Sequence, residues 1–183
     1  MPGLIIGAVV VVLLLIWWVS TRNGFVKLEN KVEEGFATID VYLKKRYDLI
    51  PNLVNTVKGY ASHEKETLER VIAARNSAMN GGREDKQALE NNLTGALKTV
   101  FALSESYPEL KADSHFLDLQ KQLKAIEDDL SQARKYYNGV VKQFNTEILL
   151  FPKSIVAKSM KLSKKPYFEL DSIEERKNVE VKF

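Results

Sequence analysis

Phe25 to Val57 reads FVKLENKVEEGFATIDVYLKKRYDLIPNLVNTV, and its spacing decides the fold. Phe25, Leu28, Val32, Phe36, Ile39, Leu43, Tyr47, Ile50, Val54 and Val57 recur at steps of three and four. That period lines them up on one face of an α-helix. Glu29, Glu33, Lys44 and Lys45 fall off the stripe. Pro51 lacks the N–H that the helix would use and crowds the preceding turn, so a kink is expected there. Val41, Leu49 and Leu53 form a second apolar face beside the main stripe. Such a face predicts lateral contacts between copies, hence a homo-oligomer with parallel anchors, for which a ring satisfies every copy alike.

Upstream, Met1 to Val19 holds no charged side chain. A bilayer core takes roughly 20 apolar residues in a helix, about 17 at least. Trp17 and Trp18 close the run where indole rings favour the headgroup layer, and Arg22 follows. A cleaved signal peptide needs a basic start and small residues at its end, and neither is present. A single-pass anchor over residues 1–23 is therefore expected, with Trp17, Trp18 and Arg22 at the membrane interface. Arg22, Lys27 and Lys31 lie just past the span, so the positive-inside rule puts the N-terminus outside and the following domain in the cytoplasm.

Downstream, the stripe fails near residue 60. Gly59 is a candidate stop, and Ser62 a candidate cap with Glu64 in the next first turn. Leu68, Val71, Ile72 and Arg75 form the next stripe, and Asn80-Gly81-Gly82 is the clearest loop. A third helix reads from Glu84 to about Ser106, with Leu89, Leu93, Ala96, Leu97, Val100 and Leu103 inward. Tyr107-Pro108 ends it. Asp113 and Ser114 are candidate caps for a last helix striped by Leu119, Leu123, Ile126, Leu130, Ala133, Tyr137, Val140, Phe144 and Ile148, stopped at Phe151-Pro152. The first and last of these helices are each about 54 Å long at 1.5 Å per residue. The pattern predicts an all-α fold: a transmembrane helix, then an antiparallel up-and-down bundle of four long, coiled-coil-like helices over 24–152. The alternative is one helix from the membrane to residue 79 in a three-helix coil.

Residues 153–183 read as a basic C-terminal tail. Lys153, Lys158, Lys161, Lys164 and Lys165 alternate there with Ile155, Val156, Met160 and Leu162. A solvated linker explains them, and so does a segment lying on anionic lipid.

Chemistry is hard to find. With no cysteine, disulfides and thiolate metal sites are excluded. His63 is not followed by a second histidine at zinc-motif spacing, Gly81-Gly82 is not followed by Lys-Ser or Lys-Thr, and no serine sits in a Gly-x-Ser-x-Gly elbow. No catalytic, cofactor or metal residue is assigned. Arg46, Asp48, Glu127 and Arg134 lie near the seams and are expected to form polar contacts between helices, fixing register more than stability. Asn138 and Asn145, seven apart, share a face and could bond a neighbouring helix or a partner protein. Net charge of +3, with no nucleic-acid-binding motif, gives no reason to expect DNA or RNA as a partner.

Asp40 to Val54, Val57-Lys58-Gly59-Tyr60 with His63-Glu64, Tyr107 to Ala112, Ala133-Arg134 through Tyr137-Asn138, Phe144-Asn145, Phe151-Pro152 and Val181-Lys182-Phe183 resemble the LemA family in content and order. The match spans nearly the whole chain. It departs at 153–165, which in the family is more apolar and contains glycine. The resemblance implies a bacterial, membrane-anchored helical protein without an assigned biochemical activity. A magnetosome relative and genomic neighbours imply either membrane organisation or work beside a membrane protease. The expected function is a self-associating scaffold of the bacterial inner membrane, not an enzyme, contacting lipid and its own copies. The second reading is an adaptor for another membrane protein.

Overall fold

The computed structural model describes residues 2–168. The far end of the tail, with the Val181-Lys182-Phe183 motif, lies outside the described residues. Six helices follow one another: α1 (Pro2–Tyr60), α2 (Lys65–Asn80), α3 (Lys86–Ser104), α4 (Pro108–Ala112), α5 (Ser114–Glu147) and α6 (Lys153–Ser159). No strand occurs among the described residues. The chain divides into two compact units. One holds α1 to Asp40, α5 from Ser131, α6 and the segment to Tyr167; the other holds α1 from Val41, α2, α3, α4 and α5 to Leu130.

α1 starts in the apolar N-terminal segment and continues through Gly24 and Pro51 to Tyr60. It is long and apolar enough to cross a membrane, and the apolar stretch is unburied by the rest of the chain. A short connection at residues 61–64 separates α1 from α2, so the helix to residue 79 does not form. Ser62 is not the cap. Glu64 occupies the N-cap position of α2, and its carboxylate accepts the Tyr107 hydroxyl at 3.1 Å instead of the helix N–H groups. Pro108 takes the first turn of the short α4, where a missing N–H costs nothing.

In the second unit four helical segments surround one core. Leu43, Ile50, Leu53 and Val57 of α1 are buried with Leu68 and Val71 of α2, Leu93, Leu97 and Val100 of α3, and Leu123 and Leu130 of α5. Each such side chain contributes about 1.5–3 kcal/mol when fully buried. Phe101 of α3 meets Phe116 of α5 edge-on at 6.2 Å. Tyr60 lies beside Asp113, and Arg46 beside Glu127, so α1 and α5 run antiparallel here.

In the first unit α1 and α5 also pair antiparallel. Phe36 meets Tyr137 edge-on at 5.8 Å, and a Cβ on Gly35 would come within 3.3 Å of the Tyr137 Cα, so glycine permits the close approach. The expected boundary at 152 is not an end of packing. Val156 and Ala157 of α6 are buried. Lys161 sits at φ 55, the left-handed position usually filled by glycine, and Leu162 N–H bonds back to the Ala157 carbonyl at 3.0 Å. This is a Schellman stop with a lysine at its strained position, which costs roughly 1 kcal/mol. The chain then returns beside α5. Asn145 clamps it from both sides: its Nδ2 donates to the Lys165 carbonyl at 2.9 Å, and its Oδ1 accepts the Lys165 N–H at 2.8 Å. Tyr137 donates to the Pro166 carbonyl at 3.0 Å.

Asp113 caps α5, as its position suggests. Its Oδ1 accepts the Phe116 N–H at 2.8 Å and its Oδ2 accepts the Tyr60 hydroxyl at 2.9 Å. The Phe116 N–H, then the Tyr60 hydroxyl, hold its carboxyl below the ordinary value, and the same bond pushes Tyr60 up. A depressed carboxylate adds stability above its unfolded pKa of about 4 and loses it as pH falls through the lower folded value. Asp113→Ala is therefore expected to melt below the native chain at pH 7. The gap should narrow below about pH 4, as read by circular dichroism of the full chain in micelles.

Candidate functional site

The polar centre of the second unit grows out of Pro51. Its missing N–H leaves the Tyr47 carbonyl, four residues earlier, without a helical partner. Arg75 of α2 supplies one, its Nε donating to that carbonyl at 2.8 Å. The Tyr47 side chain points into the core, where its hydroxyl lies between Glu90 Oε1 of α3 and the Ala78 carbonyl of α2, the latter at 3.3 Å. Lys86 also donates to that carbonyl, at 3.2 Å. The Tyr47 hydroxyl has one proton, which the closer Glu90 carboxylate accepts, so Lys86 satisfies a carbonyl in the last turn of α2, where the helix itself provides no donor.

Arg46, next along α1, is 4% exposed. Its Nη1 lies 3.3 Å from Glu90 Oε2 and 3.3 Å from Glu127 Oε2 of α5, and its Nη2 donates to Thr94 Oγ1 at 2.9 Å. Glu90 is 1% exposed, with Arg46 on one oxygen and Tyr47 on the other. Glu127 stands at the rim, its side chain partly open to water.

Of the four residues expected to make interhelical contacts, the fold brings Arg46 and Glu127 together. Arg134 is buried as well, but in the other unit. Asp48 is exposed and takes no part in the cluster. Glu90 is the residue that periodicity should supply. Leu93, Leu97 and Val100 share its face of α3, and it lies three residues before Leu93. The expected stripe holds at Leu93, Leu97 and Val100, while Leu89, Ala96 and Leu103 are half-buried and Glu90 and Ser104 are buried at its ends.

The second apolar face of α1 needs a correction. Leu53 is fully buried and Leu49 half-buried, because α1 packs here against several helices and needs a wider apolar face than a two-helix seam does. Of the three residues, Val41, 55% exposed, remains available for contacts between copies.

The cluster is a clasp rather than a reactive centre. Arginine stays charged in proteins and cannot trade a proton. Glu90 lies too deep for a substrate atom to reach without opening the bundle. Among the described residues no group of histidines and carboxylates could hold a metal ion. His63 and His115 are both exposed.

At the N-terminal side, Trp17 and Trp18 pack edge-on at 6.5 Å, half-buried, with Arg22 exposed one turn on. Of the basic tail, Lys158, Lys161 and Lys164 are exposed. Lys153 pairs with Glu147. Lys165 is not free for lipid: it pairs with Glu29 at 3.3 Å and sits 5.7 Å from the Phe144 ring centre.

Residues 35–183 match the LemA family. The chain is 25% identical over 162 residues to the protein LemA of Metamycoplasma hominis, an alignment covering 86% of this chain and 73% of that one.

Removing one member of a buried ion pair strands the other charge and costs about 3–5 kcal/mol, whereas replacing both with apolar residues of similar size is often near neutral. Arg46→Met and Glu90→Leu are each expected to destabilise the full chain by that amount. The double variant should regain most of the loss in denaturant unfolding. Losses that simply add would show the two residues to be uncoupled.

Proposed function

The chain belongs to the LemA family, and from that premise we propose that it is a membrane-anchored helical scaffold that self-associates to organise the bacterial inner membrane. One observation carries the reading. α1 leaves its exposed apolar stretch and enters the packed helices as the same helix, with no linker between. A protein that delivered a tethered catalytic domain would gain reach from a flexible connection; an unbroken helix instead holds what packs on it at a set height above the bilayer. Trp17 and Trp18 suit the headgroup layer, and Arg22 the water beyond it.

Arg22, Lys27 and Lys31 favour a cytoplasmic domain. Protease added to intact spheroplasts should then leave the domain whole and cut it only after lysis. Digestion without lysis reverses the orientation.

Self-association rests on Val41, a large apolar side chain exposed on α1. In mild detergent the full chain is expected to run as a multi-copy particle. Val41→Glu should shift it to a smaller size while the helical circular dichroism stays unchanged. A particle with one copy of this chain and a second membrane protein would favour the adaptor reading.

A further inference from the structure

The turn after α5 is apolar where a water-soluble protein would be polar. Leu149, Leu150 and Phe151 are all exposed, Phe151 at 82%, and Ile155 of α6 is exposed beside them. Ile148, just before, is buried, so the packed face of α5 has ended, and these side chains are left about half exposed or more by the described residues. Contiguous exposed apolar side chains of this kind mark an interaction surface.

The register of the α1–α5 pair says what that surface meets. Phe36 stands against Tyr137. About two turns down, Glu29 of α1 and Phe144 of α5 flank the same Lys165 ammonium. α5 ends at Glu147, less than one turn further on, and the turn through Phe151 follows. The antiparallel register thus carries the turn toward Arg22, where the apolar stretch of α1 ends.

Its backbone suits a dry layer. The Leu149 and Leu150 N–H groups both bond to the Thr146 carbonyl, at 3.0 and 3.2 Å, and Ser154 N–H returns to the Leu150 carbonyl at 2.8 Å. Pro152 has no N–H to satisfy. With the Leu149, Leu150 and Ser154 donors bonded internally, the turn brings fewer free N–H groups to a bilayer interface, where each would be costly. Lys158, Lys161 and Lys164 stand exposed on α6 and just beyond it, as lysines do around an interfacial anchor on an anionic surface.

We propose that the Leu149–Phe151 turn, with Ile155, is a second membrane contact that dips into the interfacial layer of an anionic leaflet. It rests on the anchored reading of α1. The chain then touches the bilayer twice, once through the span and once through the returning end of α5, which fixes the tilt and rotation of that helix pair.

The chain has no cysteine, so single labels are direct. Leu150→Cys, Ile155→Cys, Leu15→Cys and Ala37→Cys in the full chain would each carry an environment-sensitive fluorophore. The vesicles are phosphatidylglycerol and phosphatidylcholine, with brominated lipid or aqueous iodide as quencher. The labels at 150, 155 and 15 are expected to lose most of their emission to brominated lipid, and the label at 37 to iodide alone. Lys158→Gln, Lys161→Gln and Lys164→Gln together should reduce lipid quenching at 150 and leave it intact at 15. Iodide quenching at 150 and 155 with lipid quenching at 15 overturns the second contact while the anchor stands. Loss of lipid quenching at 15 overturns the anchor itself. Protection of 150 and 155 from both quenchers means that another copy or another protein covers the turn, and this also overturns the proposal.

Discussion

Two adjacent residues of α1 hold the second unit together, and a proline one turn later makes their arrangement necessary. Pro51 deprives the Tyr47 carbonyl of its helical donor, and Arg75 restores the bond from α2. Through its hydroxyl Tyr47 reaches α2 and α3; through its guanidinium Arg46 reaches α3 and α5. A single turn of α1 therefore bonds every long helix packed around it. Burying a guanidinium costs several kcal/mol before pairing, and the pairing with Glu90 and Glu127 does little more than offset that. The gain is in uniqueness. Apolar stripes slide past one another at small cost, but sliding by one residue would leave Arg46, Glu90 and the Tyr47 carbonyl buried without partners.

The same clasp marks the limit of what is legible in the sequence. The stripes on α1 and α5, the Asn80-Gly81-Gly82 loop and the Asp113 cap follow from local rules, and the structure has them. Glu90 escapes a reading by periodicity because a charged residue is expected off the seam, although Leu93, Leu97 and Val100 point to its position. Leu53 falls on a free face when the stripe is drawn for one neighbour; α1 has several there, and two adjacent positions per turn are buried, as at Leu53 and Val54. Pro51 announces a kink by local rules. Its larger consequence, an orphan carbonyl answered by Arg75, depends on a residue 24 positions after Pro51 that no local pattern connects to it.

Asn145 shows the same limit from the other side. Its position on the face of α5 shared with Asn138 is plain from spacing, and both a neighbouring element and a partner protein would suit it. The structure gives it the backbone of Lys165, twenty residues on. Its amide matches a peptide group donor for acceptor, so an extended segment can lie against α5 without a strand beside it. The segment has no periodicity to announce it, and its five lysines suggest a solvated or lipid-bound tail. They have separate fates: Lys165 neutralises Glu29, Lys153 meets Glu147, Lys161 turns the chain, and Lys158 and Lys164 are exposed.

The exposed end of α5 then stands out energetically. Burying a leucine or phenylalanine is worth about 1.5–3 kcal/mol, so leaving Leu149, Leu150 and Phe151 in water forgoes several kcal/mol that a different turn sequence would not forgo. The neighbouring backbone shows no looseness that would make this an accident: α6 buries Val156 and Ala157, and the Asn145 clamp fixes the extended segment beyond it. The turn thus presents exposed apolar side chains on a helix pair whose α1 is itself long and apolar enough to cross a membrane.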